Sequence, residues 1–587
     1  MLPLKQRGGG GILSLIISLY KIKKSHTKNH KIYQQTIQIF PQLKYPKLDA
    51  CKDYNESLKY KLHLSYLLGN ALIEADKNWY KGGYLKLLSK IEKAKARHRA
   101  IQEVVRIIPK EKQEIIYCIE LENRVQINCE KINRIFQAHK DYQPIIDNIL
   151  HNFNYFLENF SEIESWLLSG EFHKRYKKEK HPYPSLINPK TADYKNISAQ
   201  LAWEMNLPLP ENYDFIFFVV FGAGSAAMCS FLSQSVIMNP RIGNPYQQYL
   251  ASYLSLIQNM HNVDKKRVIV LDGRKVDNND VKFYLMITKK VPALCVVRDP
   301  ISVLRPIINH IVHSKLSNPT ILKEFDFCTE MNKIFEAQIP YQHPIDKHSN
   351  KPSIRRALTW FVDKVDNHYI LNHRIKTLKR VLLEVYYIDM LDILPNKAHD
   401  TLVYLAKTFN YSPPKQNAIF ERAHNSIIVN ISRVFFPKVF NVYLNDKNIK
   451  INLALKNNIL EDKYVNCIEE FTQSLLLLGE NVGAGAYILK SDFDELRAKH
   501  EIWNKVKKYL GEYFMRLEQR YMLEQERIVF ENEILDFFRD DGNRDILIKY
   551  KMKFDEDLEH IKRYRPDIVE SWKYYQEFLK ICEEKGI

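Results

Sequence analysis

DFIFFVVFGAGSAAMCSFL, residues Asp214–Leu232, reads as an apolar run, a turn of small residues and a helix in direct succession. The run Phe215–Phe221 is apolar throughout, so it suits a strand buried on both faces, as in a parallel sheet. Gly222 and Gly224 permit the sharp turn that follows. The backbone N–H groups of 223–227 then face outward at the start of a helix, where the dipole favours an anion. Small side chains at Ala223, Ser225 and Ala226 let a phosphate come close, and the Ser225 hydroxyl adds a donor. The stretch carries no Walker A signature and no GxGxxG. A tight packing turn between strand and helix explains the same residues, and both readings stand at this point.

A second stretch repeats the design. VPALCVVRDPISVLRPIINH, residues Val291–His310, ends an apolar strand on Arg298. Asp299 is positioned to cap the next helix and Pro300 to open it. A guanidinium at a strand end suits a phosphate, and Ser302 and Arg305 add donors one turn on. The alternative is a structural ion pair between Arg298 and Asp299 or another carboxylate. DGRK at 272–275 forms the third piece. Asp272 ends a strand and is the first choice for a general base. Arg274 and Lys275 can neutralise a transferring anion, unless the DG turn merely carries solvated charges. His261 is the second choice of base. His310 and His313 lie three apart, with no third ligand nearby, so no metal centre is expected.

Around these stretches, 213–420 alternates strands and helices. That pattern predicts an α/β fold, a parallel sheet with helices on both faces, flanked by N- and C-terminal α-helical regions. Ligands of such sheets bind outside the carboxyl ends of the strands, where all three polar turns fall. The chain divides into a tail with a short apolar segment (1–50), a helical region (51–180), an α/β transferase domain (181–420) and a C-terminal region (421–587). In the first helical region, NWYKGGY at 78–84 breaks two helices. The charged, proline-bearing stretch 171–190 reads as a linker. In the last region, 439–444 and 449–455 read as a β-hairpin, Glu461–Leu478 as a helix, and Phe493–Arg539 with Asp545–Glu584 as a pair of long charged helices.

The chain has 587 residues, 45% of them hydrophobic, enough for several domains with real cores. Lysine and arginine number 87 against 69 acidic residues, a net charge of +18, which favours acidic partners. The basic residues are scattered among acidic ones without a nucleic-acid-binding motif, so no nucleic-acid partner is expected. The eight cysteines are dispersed and form no CxxC pair, which fits a reduced, cytoplasmic protein. The apolar run 12–20 is too short to span a bilayer. It suits either a buried helix or a peripheral contact at the inner membrane. Four consecutive glycines, 8–11, precede it.

The order strand, glycine loop, helix, then strand, RDP, helix is similar to the sulfotransferase fold, a relative of P-loop folds. The resemblance puts Gly224 and Ser225 in the loop that grips the donor's 5′-phosphosulfate, and Arg298 where an arginine grips its 3′-phosphate. The loop lysine of that family is replaced by Gly222 or Ala223, and its later serine falls on Pro306. Both departures speak against a 3′-phosphate-bearing sulfate donor. HPYPSLINPKTADYKNISAQLAWEMNLPLPENYDF (181–215) resembles a domain of campylobacter-type capsule-locus proteins. Those are known as capsular sugar transferases and implicated in moving O-methyl phosphoramidate onto capsular sugars. HLSYLLGNALIEADKNWYKGGYLKL (63–87) resembles a segment of surface-glycan enzymes from the same bacteria. The glycine run fits the phase-variable tracts of such genes. The resemblance implies a transferase with a CDP-linked donor as cosubstrate, no permanently bound cofactor, a capsular polysaccharide acceptor and a capsule-assembly contact. Gly222, Ala223, Gly224, Ser225, Ala226, Arg298, Ser302 and Arg305 would then hold the donor's phosphates, with Asp272, His261, Arg274 and Lys275 at the reacting centre. A sulfotransferase acting on a surface glycan, a capsular glycosyltransferase and a non-enzymatic capsule-assembly protein are the alternatives.

Overall fold

The computed structural model describes residues 12–47, 51, 59–107, 131–262, 264–272, 279–312, 323–335, 339–346, 351–364, 369–417, 419–420, 434–444, 447–455, 463–479 and 482–587. The chain forms two compact units, Met1–Asp193 with Leu201–Leu207, and Tyr194–Gln200 with Pro208–Ile587. Gly8–Gly11, Gly273, Arg274, Lys275 and His313 lie outside the described residues.

The first unit is helical, as its periodicity predicts: α1 (Ile12–Ile39), α2 (Leu64–Lys77), α3 (Leu87–Ile107), α4 (Gln143–His151) and α5 (Phe160–Leu167) are its longer elements. The turn between α2 and α3 falls on the two glycines of NWYKGGY. Gly82 takes φ +74°, and a Cβ on Gly83 would collide with the carbonyls of Ala75 and Asn78. Ile17 and Tyr20, within the N-terminal apolar run, are exposed on α1. Among the described residues, no helix is long and apolar enough to cross a membrane. The stretch read as a linker is packed instead. Asn148 donates to the carbonyls of Pro184 (2.8 Å) and Met205 (2.9 Å), Trp166 Nε1 donates to Ser185 O (3.1 Å), and Leu186 is fully buried. Its backbone carbonyls find side-chain donors inside the unit, so proline and charge there mark a buried turn.

The second unit contains the expected parallel sheet. In chain order its elements are β1 (Phe215–Phe218), α6 (Ser225–Leu232), β2 (Ile237–Met238), α7 (Pro245–Gln258), β3 (Arg267–Leu271), α8 (Asn279–Leu285), β4 (Val291–Val297), α9 (Pro300–Ile308), then β5 (Glu324–Asp326), α10 (Ile354–Lys364), α11 (Leu371–Leu378), β6 (Leu382–Asp389) and α12 (Ala398–Phe409). The sheet order is β2-β3-β1-β4-β6, every pair parallel. β1 is fully buried and central because Phe215, Ile216, Phe217 and Phe218 all pack, two on each face. Later strands add on both sides of it, so the crevice at its carboxyl end is the switch point of the sheet.

The C-terminal region departs from expectation. The hairpin exists as β7 (Lys438–Leu444) and β8 (Lys447–Leu455), but it belongs to a second sheet with β9 (Tyr464–Asn466) and β10 (Ala484–Leu489), in the order β5-β7-β8-β10-β9. The expected helix Glu461–Leu478 gives β9, a 3₁₀ turn and only four helical residues, Leu475–Leu478. Pairing with β10 (Val465 beside Ile488) overrides its apolar spacing. The two expected long helices are each broken into shorter ones. α13 (His500–Glu526) lays Trp503, Leu510 and Phe514 on the second sheet's core. α14 (Glu531–Arg539), α15 (Arg544–Asp557), α16 (Glu559–Tyr564) and α17 (Lys573–Glu584) close over the parallel sheet. Asn309 exchanges hydrogen bonds with Val529 (2.9 and 3.0 Å), Tyr550 Oη donates to Leu358 O (3.1 Å), and Trp572 Nε1 donates to Asp389 (2.7 Å).

Asp557, at the end of α15, anchors this cover. Its Oδ1 accepts from the N–H groups of Leu371 (2.8 Å) and Asn372 (3.3 Å) at the start of α11. Burial pushes its carboxyl up to about 6, against the opposing pull of those N–H groups and Arg374. The folded protein therefore keeps this proton to a higher pH than the unfolded chain, whose aspartates titrate near 3.9. The stability this proton confers is lost as pH rises from about 4 through 6, by roughly 3 kcal/mol. Asp557→Asn keeps the accepting oxygen and removes the titration. Denaturant unfolding should show the variant gaining on the wild type by about that amount between pH 4 and 7; a pH-independent difference contradicts the assignment.

Candidate functional site

The glycine turn is built for close approach. Gly222 and Gly224 take φ +71° and +85°. A Cβ on Gly222 would stand 3.1 Å from Val303 Cγ1 of α9. One on Gly224 would stand 3.0 Å from Ile393 Cδ1 and 3.2 Å from Met390 Cγ, both in the turn after β6. Packing thus requires both glycines, whatever else they do. Ala223 is fully buried, while Phe221 and Ala226 are exposed, so the turn opens to solvent on its outer side only. The Ser225 hydroxyl is occupied within the turn. It donates to Val220 O (2.9 Å) and accepts from Val220 N (3.0 Å), where a phosphate donor was expected. Gly224, as N-cap of α6, brings no side-chain acceptor to the first turn. The N–H groups there keep their capacity for an external anion.

The second loop meets the first. β4 pairs directly with β1, and Arg298 Nη1 donates to Gly222 O at 3.1 Å. Asp299 does not pair with Arg298. Its Oδ1 accepts from Ile301 N (2.9 Å), capping α9, and its Oδ2 accepts from Tyr574 N (2.9 Å) and Tyr575 N (3.1 Å), at the start of α17. The carboxylate facing Arg298 comes from Glu531, at 4.0 Å, and the same group stands 3.8 Å from Arg305. Burial pulls Arg298 below the usual arginine value, with Glu531 opposing. The Arg305 guanidinium lies over the Phe530 ring at 4.3 Å, and its Nε is buried without a hydrogen bond. Two arginines therefore share one loosely placed carboxylate. Ser302 is buried within α9.

The third piece is only partly assembled. Asp272 ends β3, on the other side of β1 from β4, so roughly 10 Å of sheet separates it from Arg298. Both its oxygens face Arg241, at 3.1 and 3.5 Å, an ion pair the sequence reading missed because the two-residue strand β2 hides the placement of Arg241. His261 is not at the site. It precedes β3 and bonds Lys195 (3.2 Å) at the amino end of the sheet, one strand length from the loops. His310 lies beyond the end of α9, so the expected helix does not reach it. Among the described residues, no cluster of three or more His, Cys, Asp or Glu could hold a metal ion.

Beside Arg298 lies a cavity of about 40 Å³, lined by Val220, Phe221, Leu371, Phe554, Asp557 and Trp572 among others. It has room for little more than a water. The C-terminal helices fill the inner side of the crevice, so an anion has the outer side of the turn to approach.

Fold and site together define an α/β protein whose five-stranded parallel sheet brings the glycine turn and Arg298 together at its switch point. A family model described as "Protein of unknown function (DUF2972)" matches residues 387–585, and another, "Domain of unknown function (DUF8374)", matches 5–100. The first begins inside β6 and takes in Glu531, Asp557 and Trp572; the glycine turn and Arg298 lie upstream of it. Comparison with curated proteins and with solved structures gives no match.

Gly224→Ala forces a left-handed backbone and a clash with Ile393. It should cost roughly 1–3 kcal/mol in denaturant unfolding, because an L side chain is strained in that backbone region and meets Ile393. Wild-type stability in Gly224→Ala would contradict the packing account.

Proposed function

We propose that this protein is a transferase of the capsule-locus kind. It moves an O-methyl phosphoramidate group from a CDP-type donor to a hydroxyl of a capsular polysaccharide sugar, on a sulfotransferase-like core. The observation that carries the reading is the pair of arginines at the switch point, neither held by a close carboxylate. Arg298 and Arg305 share Glu531 at 4.0 and 3.8 Å beside a helix start without a side-chain cap. Such a site attracts a pyrophosphate and stabilises charge as a nucleotide leaves. Gly222–Ala226 and Arg298 hold the donor's phosphates from the outer side of the turn. The chain works as a cytoplasmic protein with a peripheral contact at the inner membrane.

A second reading, a non-enzymatic capsule-assembly protein, draws on a different observation. Ser225, Asp272 and Arg298 each have a partner within the protein, as parts of a purely structural crevice would. Nucleotide binding separates the two. Cytidine diphosphate should raise the melting temperature of the wild type through mass action, and adenosine 3′,5′-bisphosphate should not. Arg298→Ala should abolish the shift and lower transfer at least about 100-fold, the usual scale for losing an electrostatic stabiliser. No shift with any cytidine nucleotide, or near-normal transfer by Arg298→Ala, would overturn the transferase reading.

A further inference from the structure

The two bases expected from the sequence are not free to serve. Asp272 is clasped by Arg241, and His261 stands at the wrong end of the sheet. A different pair has the geometry. His373 Nε2 lies 2.9 Å from Asp280 Oδ2. The imidazole is 35% exposed, whereas the aspartate is 1% exposed. An ionised carboxylate only accepts, so Nε2 carries the ring proton and Nδ1 is left as the basic atom. Among the described residues nothing bonds to Nδ1.

Both residues stand on the carboxyl side of the sheet. Asp280 is in the first turn of α8, which follows the loop after β3, and His373 is in the first turn of α11. Leu371, two residues before His373, lines the cavity that also meets Val220, Phe221 and Arg298. Arg374, the next residue, is 1% exposed; its Nη1 donates to Val219 O (2.7 Å), just after β1, and its Nε to Tyr284 Oη (3.1 Å). The chain on either side of His373 is therefore tied to the base of the glycine turn. Asp280 Oδ1 is buried with no hydrogen bond, so half of this carboxylate's accepting capacity is unspent within the fold. A carboxylate recruited only for packing would leave that cost unexplained.

We infer that His373 is the general base of this site and Asp280 its positioning residue. The inference rests on the transferase reading above. Nδ1 of His373 takes the proton of the acceptor hydroxyl. The hydroxyl oxygen forms a bond to the donor's phosphorus, the phosphorus–oxygen bond to the nucleotide breaks, and the nucleotide leaves with the electron pair. The Asp280 carboxylate balances the imidazolium. Among the described residues, the other charged or titratable groups at the start of α11 include Tyr284 of α8, Asp557 of α15, Glu559 of α16 with its partner Lys376 (2.8 Å), and Arg374 itself. Asp557 and Glu559 are engaged with the backbone and side chain at Leu371 and Asn372.

The test uses the full chain, a CDP-activated O-methyl phosphoramidate and purified capsular polysaccharide. His373→Gln should keep the wild-type melting temperature and its shift with cytidine diphosphate, while kcat falls on the order of 10²–10⁴-fold with KM little changed. Its rate should lack the acid limb expected of the wild type. Asp280→Asn should keep partial activity, with kcat lowered and KM little changed, because the ring has lost its positioning partner. His373→Gln that retains both the wild-type kcat and the acid limb overturns the inference and leaves the transferase reading intact. A wild type without a nucleotide shift and without transfer overturns both. An unaltered kcat in Asp280→Asn removes the aspartate's role.

Discussion

The carboxylate of Asp299 fastens the carboxyl end of the parallel sheet to the C-terminal helices. Asp299 caps α9 with one oxygen and receives two N–H groups of α17 with the other. Burial pushes its carboxyl up, and those N–H donors hold it down. The consequence reaches the neighbouring residue. With Asp299 spent on backbone, the carboxylate that meets Arg298 is that of Glu531, at 4.0 Å, while Asp299 and Asp389 act on it from further off. Asp389 is likewise spent, on Leu391 N and Trp572 Nε1, and Asp557 on the start of α11. Three acids at the crevice accept from helix starts and an indole, and none of these three forms an ion pair with its arginines.

This division explains why the crevice is both closed and charged. The C-terminal helices exclude solvent from the inner side of the sheet end and leave a small, mostly apolar cavity. On the outer side the glycine turn stays accessible through Phe221 and Ala226. A buried guanidinium gains strength from the low local dielectric. Helix starts and guanidinium groups that do not have to reorganise when an anion arrives suit group transfer.

Much of the sheet was legible in the sequence because its strands are continuous apolar runs between helices. β1, β3 and β4 could be placed within a few residues from Phe215–Phe221, Arg267–Leu271 and Ala293–Val297. The glycine turn and Arg298 were legible for the same reason, being the first polar or small residues after such runs. β2 was not, since two residues leave no period, and with it went the Arg241 partner of Asp272. The second sheet hid behind apolar residues whose spacing suits a helix until β10 pairs with them. The cover formed by α14–α17 and the His373–Asp280 pair were invisible for another reason. They depend on contacts between residues 93 positions apart in one case and nearly 280 in the other, and no local pattern records such a distance.

The central claim is that the start of α6, between Gly224 and Arg298, receives an anion from the outer side of the turn. Amide hydrogen exchange at Ser225, Ala226 and Ala227, with and without inorganic pyrophosphate, tests it most directly. The account predicts exchange slowed at these amides on addition of pyrophosphate, and no such slowing in Arg298→Ala. Exchange at the three amides that is indifferent to pyrophosphate in the wild type would contradict it.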